Sequence, residues 1–119
     1  MVGSMLLSSL DSLSRVSAAE AVRFSIVIRA RSVDGPHRTI RATQGAMLEL
    51  AFAADEIVEL HLHGYDRYLT VHPGEEAVMR LDANLAGRFA IEAHRFEGPA
   101  GGSPSHGHVV LLYLEIYPR

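Results

Sequence analysis

From Val22 onward, apolar and polar residues alternate with a period of two, and turn signals interrupt the alternation. That period sends successive side chains to opposite faces of a pleated strand. Phe24, Ile26 and Ile28 alternate with Ser25, Val27 and Arg29, and Asp34-Gly35-Pro36 reads as a turn. A short strand from Arg38 to Thr43 closes at Gln44-Gly45. Leu48, Leu50 and Phe52 then alternate with Glu49, Ala51 and Ala53. Ala54-Asp55-Glu56 leads tightly into a strand from Ile57 to His63, and Gly64-Tyr65-Asp66 turns the chain into Tyr68 to Val71. After Pro73-Gly74 come strands at Ala77 to Leu81, at Arg88 to Ala93 and at Val109 to Tyr117, the last with Leu112, Leu114 and Ile116 on one face. This predicts an all-β Greek-key β-sandwich of about eight strands over residues 22–119. Gly98 to Gly107, rich in Gly, Pro and Ser, reads as a flexible loop between two strands.

Residues 1–21 stand apart from this pattern. Leu6, Leu7, Leu10 and Leu13 make a weak helical stripe, and Ala19-Glu20-Ala21 resembles a small-x-small cleavage site. No basic residue precedes Arg15, and Ser8, Ser9 and Asp11 break the apolar stretch. The segment is a poor signal peptide as it stands, and reads as an N-terminal extension, a short helix or a signal remnant. No apolar run approaches the length of a transmembrane helix.

Composition narrows the chemistry. Apolar residues make up 48% of the chain, which places it among globular proteins and not disordered ones. The net charge is −3 and the arginines are dispersed, so nothing favours a nucleic-acid partner. There is no cysteine, which excludes disulfides, thiolate zinc sites and iron–sulfur ligation. Any transition-metal site must use nitrogen and oxygen donors.

Histidines supply those donors. In Leu60-His61-Leu62-His63-Gly64 the two histidines are spaced i, i+2, so a strand here puts Glu59, His61 and His63 on one face and Val58, Leu60 and Leu62 on the other. The two backbone positions are then about 7 Å apart, close enough for two imidazoles to share an ion. His94 ends the predicted strand Phe89–Ala93, and His106-Gly107-His108 opens the last strand. Strand ends of a sandwich meet at one pole, so His61, His63, His94, His106 and His108 are the candidate ligands. Copper suits such a set, as do zinc and nickel. His37 and His72 lie by prolines in turns and read as surface residues. Glu59 reads as a solvated strand residue and Asp66 as a turn cap, while Tyr65 either packs over the site or fills the sandwich edge.

His61-Leu62-His63-Gly64 resembles the His-x-His-Gly copper motif of multicopper oxidases, whose domains are cupredoxins. Gly87-Arg88-Phe89-Ala90-Ile91-Glu92-Ala93-His94 resembles the segment that leads to the ligand loop of plastocyanin-like proteins. Phe24-Ser25-Ile26-Val27-Ile28 and Ile40-Arg41-Ala42-Thr43-Gln44-Gly45 resemble their first strands, and Val109 to Tyr117 their last. The resemblance spans residues 22–119 and implies a cupredoxin-like domain with His61 or His63, together with His94, as ligands. Ala93 stands where the family's Cys ligand falls, and no Met follows in 94–108. A blue copper centre needs that thiolate. What the resemblance implies is a Cys-free metal-handling domain of the kind found among bacterial exported proteins, hence a periplasmic setting.

Three functions remain open on the residues alone. One is a module that holds Cu(II) or another divalent ion on neutral imidazoles, with a metal ion and a second protein as candidate partners. Another is a metal-free β-sandwich for protein interaction, which predicts scattered histidines. The last is a small mononuclear metal oxidase or cupin-type enzyme. Against a cupin, no carboxylate stands at the expected spacing after His63, and no His follows Pro73-Gly74 closely.

Overall fold

The computed structural model describes residues 20–98 and 105–119, except for the side chains of Ser105 and His106. The leucine stripe of the expected extension, and residues 99–104 of the expected loop, lie outside the described residues.

Among the described residues, eight strands follow in order: β1 (Val22–Ile28), β2 (Thr39–Thr43), β3 (Met47–Ala54), β4 (Val58–Leu62), β5 (Arg67–Val71), β6 (Ala77–Asp82), β7 (Gly87–Phe96) and β8 (Ser105–Tyr117). A 3-10 turn, Gly35–His37, occupies the predicted Asp-Gly-Pro corner, where Pro36 supplies a fixed φ. The strands form a three-stranded sheet, β1-β3-β6, and a five-stranded sheet, β2-β8-β7-β4-β5. β1 runs parallel to β3 because β2, between them in sequence, crosses to the other sheet, where it pairs in parallel with β8. The other pairings are antiparallel.

The core forms where the two apolar faces meet. Ile26, Ile28, Leu48, Leu50 and Phe52 come from the smaller sheet, and Leu60, Leu62, Ile91, Leu112 and Leu114 from the larger. Each such side chain contributes about 1.5–3 kcal/mol when fully buried. These are the apolar partners in the alternating pattern, so the polar partners in β4 and β7 are left on the outer face of the larger sheet.

Two expectations are corrected. β7 continues past Ala93 to Phe96, so His94 lies inside a strand and not at its end. The alternation stops at Ala93 because the strand is irregular there: Glu59 and Leu60 of β4 face Arg95 and Ala93, so His94 is an extra residue of β7 in that pairing. The extra residue of a bulge lets Ala93 and Phe96, three positions apart, both reach the core. β8 likewise begins at Ser105, so 105–107 belong to a strand and not to a loop. As a result the histidines gather on a sheet face instead of at a pole of the sandwich.

A candidate metal site on the sheet face

Three neighbouring strands build the cluster. Register places His61 of β4 opposite Tyr68 of β5 on one side and Glu92 of β7 on the other. Glu92 and His94 share the outer face, since Ile91 and Ala93 take the inner one. β8 lies beyond β7, with Val110 opposite Glu92 and Val109 opposite Ala93, and this brings His108 alongside His94.

The result is a row of rings across four strands. Tyr68 stacks on His61 at 4.2 Å with planes 2° apart, His61 meets His94 edge-on at 4.9 Å, and His94 stacks on His108 at 4.2 Å and 5°. His63 closes on His61 at 4.2 Å. This packing buries His61 on what would otherwise be a solvated face, leaving its side chain 10% exposed. The buried His61 ring needs a partner for its nitrogen, and a carboxylate provides one for it and another for the more exposed His63. His61 Nε2 lies 3.1 Å from Asp66 Oδ1, and His63 Nε2 lies 2.6 Å from Glu92 Oε1.

Those carboxylates set the tautomers. An ionised carboxylate only accepts, so each neutral imidazole carries its proton on Nε2 and keeps its lone pair on Nδ1. His61 Nδ1 then accepts from His94 Nε2 at 3.2 Å. A separation of 3.2 Å is also what two nitrogens keep when each lies about 2.0–2.1 Å from one tetrahedral ion. A cation held between these nitrogens would take the place of that proton, and His94 would then carry its proton on Nδ1. Burial is the main cause that lowers the His94 pKa from 6.5, and His108 and His61 lower it further, against Glu92 and Glu59. His94 is thus held in the neutral form that metals bind.

Among the described residues, two sets of three donors have their ligand atoms within 4.8 Å of one another: His61, His63 and His94, and Glu92, His94 and His108. The first set is all imidazole, a donor chemistry that fits Cu(II), Zn(II) or Ni(II). Of the five histidines singled out by sequence, four lie in one row or beside it. The backbone of His106 pairs with Arg95. His37 and His72 are exposed and belong to neither set.

Asp66 is a correction: it contacts His61 as an orienting partner, where the sequence suggested a turn cap. Glu59 is exposed, as expected. Tyr65 fills the sandwich edge, since its hydroxyl donates to Leu85 O and accepts from Leu85 N while its ring meets Phe89 at 5.0 Å. Gly64 serves packing. Its φ is +85°, and a Cβ there would lie 2.2 Å from Phe89 Cδ1. Sequence reasoning missed Glu92 and Tyr68. The alternation of β7 already places Glu92 beside His94, and the four-residue connection after Leu62 sets the register that brings Tyr68 to His61.

Neither a protein-family model nor a curated protein matches this chain. Solved structures do. A laccase-like multi-copper oxidase from Ochrobactrum sp. superposes with a TM-score of 0.57 at 12% identity, covering 89% of this chain and 33% of that one. A copper nitrite reductase from Nitrosomonas europaea gives 0.55 at 14%, covering 84% and 42%. A copper binding protein, solved in its apo form, gives 0.55 at 10%, covering 83% and 92%. The chain thus spans less than half of either enzyme but nearly all of the small copper binding protein. These likenesses show the fold, a cupredoxin-like sandwich.

Proposed function

We propose that this protein is a metal-binding module that holds one Cu(II) ion, or another divalent ion, on His61, His63 and His94 for metal handling. The observation that carries this reading is the convergence of three imidazoles within 4.8 Å, two of them oriented by carboxylates. A metal-free interaction sandwich has no need to gather its histidines in this way. The donor set is nitrogen-rich, so the general order of divalent affinities favours Cu(II) over Ni(II) and Zn(II). With no cysteine in the chain, the ion would lack the thiolate of a blue copper centre.

Each residue has a task in this reading. His61 and His63 would ligate, with their protons held away on Nε2 by Asp66 and Glu92. His94 would complete the set, kept neutral by its surroundings. Tyr68 covers one face of His61 and keeps water from it. A bound copper ion supplies an electrophilic, redox-capable centre. The similarity to a small apo copper binding protein supports carriage or buffering of the ion, and a periplasmic setting belongs to the same reading. No helix among the described residues is long and apolar enough to cross a membrane.

Calorimetric titration of the metal-free protein with Cu(II) and Zn(II), repeated on His61→Ala and His94→Ala, tests this proposal. Stoichiometric Cu(II) binding, tighter than about micromolar and lost in both variants, is expected. Weak binding that neither change affects would overturn the metal reading and favour the interaction module.

A further inference from the structure

We propose that Glu92, His94 and His108 form an outer loading position, from which an ion passes to His61, His63 and His94 through the shared His94. This inference rests on the metal-binding reading and adds a route and an order to it.

Three observations carry it. The first is that the two donor sets overlap at His94, so they cannot both be filled by ions that each require that imidazole. The second is the orientation of His108. Its ring lies flat on His94, 4.2 Å away and 5° from parallel. Stacked imidazoles direct their in-plane lone pairs side by side, so His108 does not aim at the His61–His94 gap, and its ring must turn on its exposed side chain to share an ion with His94. Its side chain is 64% exposed and free to meet an ion from solvent. The third is the double position of Glu92. Its Oε1 binds His63 Nε2 at 2.6 Å and lies 3.9 Å from His108 Nδ1. The same carboxylate is therefore a ligand for the outer set and the orienting partner of His63 for the inner set.

The order follows from exposure and charge. An arriving cation meets the exposed His108 first and is drawn towards the carboxylate of Glu92, whose side chain is 12% exposed. His94 completes this first set. Transfer exchanges His108 and Glu92 for His61 and His63 while His94 stays bound, so the ion is never released to water. Glu92 then returns to His63, where it holds the Nε2 proton. No bond other than the coordination bonds changes, and no oxidant is needed.

Stopped-flow mixing of the metal-free full chain with Cu(II) tests the route. The chain contains Tyr but no Trp, so quenching of tyrosine fluorescence is the readout. The wild type should bind one ion in two phases, a fast capture that scales with Cu(II) and a slower transfer whose rate does not. His108→Ala, at an exposed position, should remove the fast phase and slow overall loading at least ten-fold, with equilibrium affinity within about three-fold of wild type. His63→Ala should keep the fast phase, lose the slow one and weaken affinity at least ten-fold. Two ions bound per chain, or an unchanged loading rate in His108→Ala, would overturn the relay while leaving the metal reading intact. No Cu(II) binding by the wild type would overturn both.

Discussion

His61 Nδ1 and His94 Nε2 face each other at 3.2 Å across adjacent antiparallel strands, 33 residues apart in sequence. Asp66 makes this contact directional by holding the other nitrogen of His61. Asp66 sits at φ +54°, where glycine is unstrained, so Asp66→Gly removes the carboxylate while keeping the turn. The expected result is a Cu(II) affinity about 10-fold weaker or more, the usual cost of losing a ligand's orienting partner. Competition titration against a calibrated chelator measures it.

Gly64 is read as a packing glycine and not as a ligand-loop feature. Gly64→Ala forces a Cβ into the Phe89 ring at a φ disfavoured for alanine, and the neighbouring His63 moves with it. Loss of about 2 kcal/mol or more of stability is expected, together with weaker metal binding. Chemical denaturation gives the first quantity. An unchanged midpoint would contradict the close approach.

Glu56 offers a comparison away from the histidines. Its buried carboxylate accepts from Arg31 Nε and Nη2 at 2.9 and 3.0 Å and from Gly98 N at 2.8 Å. In Glu56→Ala the Gly98 N–H loses its acceptor, while Arg31, partly exposed, can still reach water. A loss of about 1–3 kcal/mol is expected, with Cu(II) affinity unchanged. Thermal unfolding and metal titration on the same variant separate the two effects.

The lowered pKa of His94 has a definite sign. Unfolded, the ring takes up its proton near 6.5; folded, it does so at a lower pH. Between these values the unfolded chain holds more protons, so folding stability rises with pH. The contribution is fully present above 6.5 and is lost as pH falls from there through the folded value. NMR titration of the His94 ring should give a midpoint below 6.5. Metal binding should resist acid at this ligand down to that midpoint and weaken below it.

In β4 the alternation of Val58, Leu60 and Leu62 with Glu59, His61 and His63 was enough to orient the strand, because one residue of slip would turn one valine and two leucine side chains to solvent. The same logic made the eight strands and their turns legible, along with the i, i+2 histidine pair and the exclusion of a thiolate site. The alternation says which face a residue takes but not which strands are neighbours. That β7 lies between β4 and β8, and so sets His94 between His61 and His108, depends on long-range pairing that no local pattern encodes. A bulge against β4 hid the continuation of β7, since an extra residue breaks the period on which sequence reading relies. The two carboxylates and Tyr68 acquire their tasks only through register. Local alternation thus determined the elements and the donor chemistry, whereas the order of strands in the larger sheet decided which donors meet.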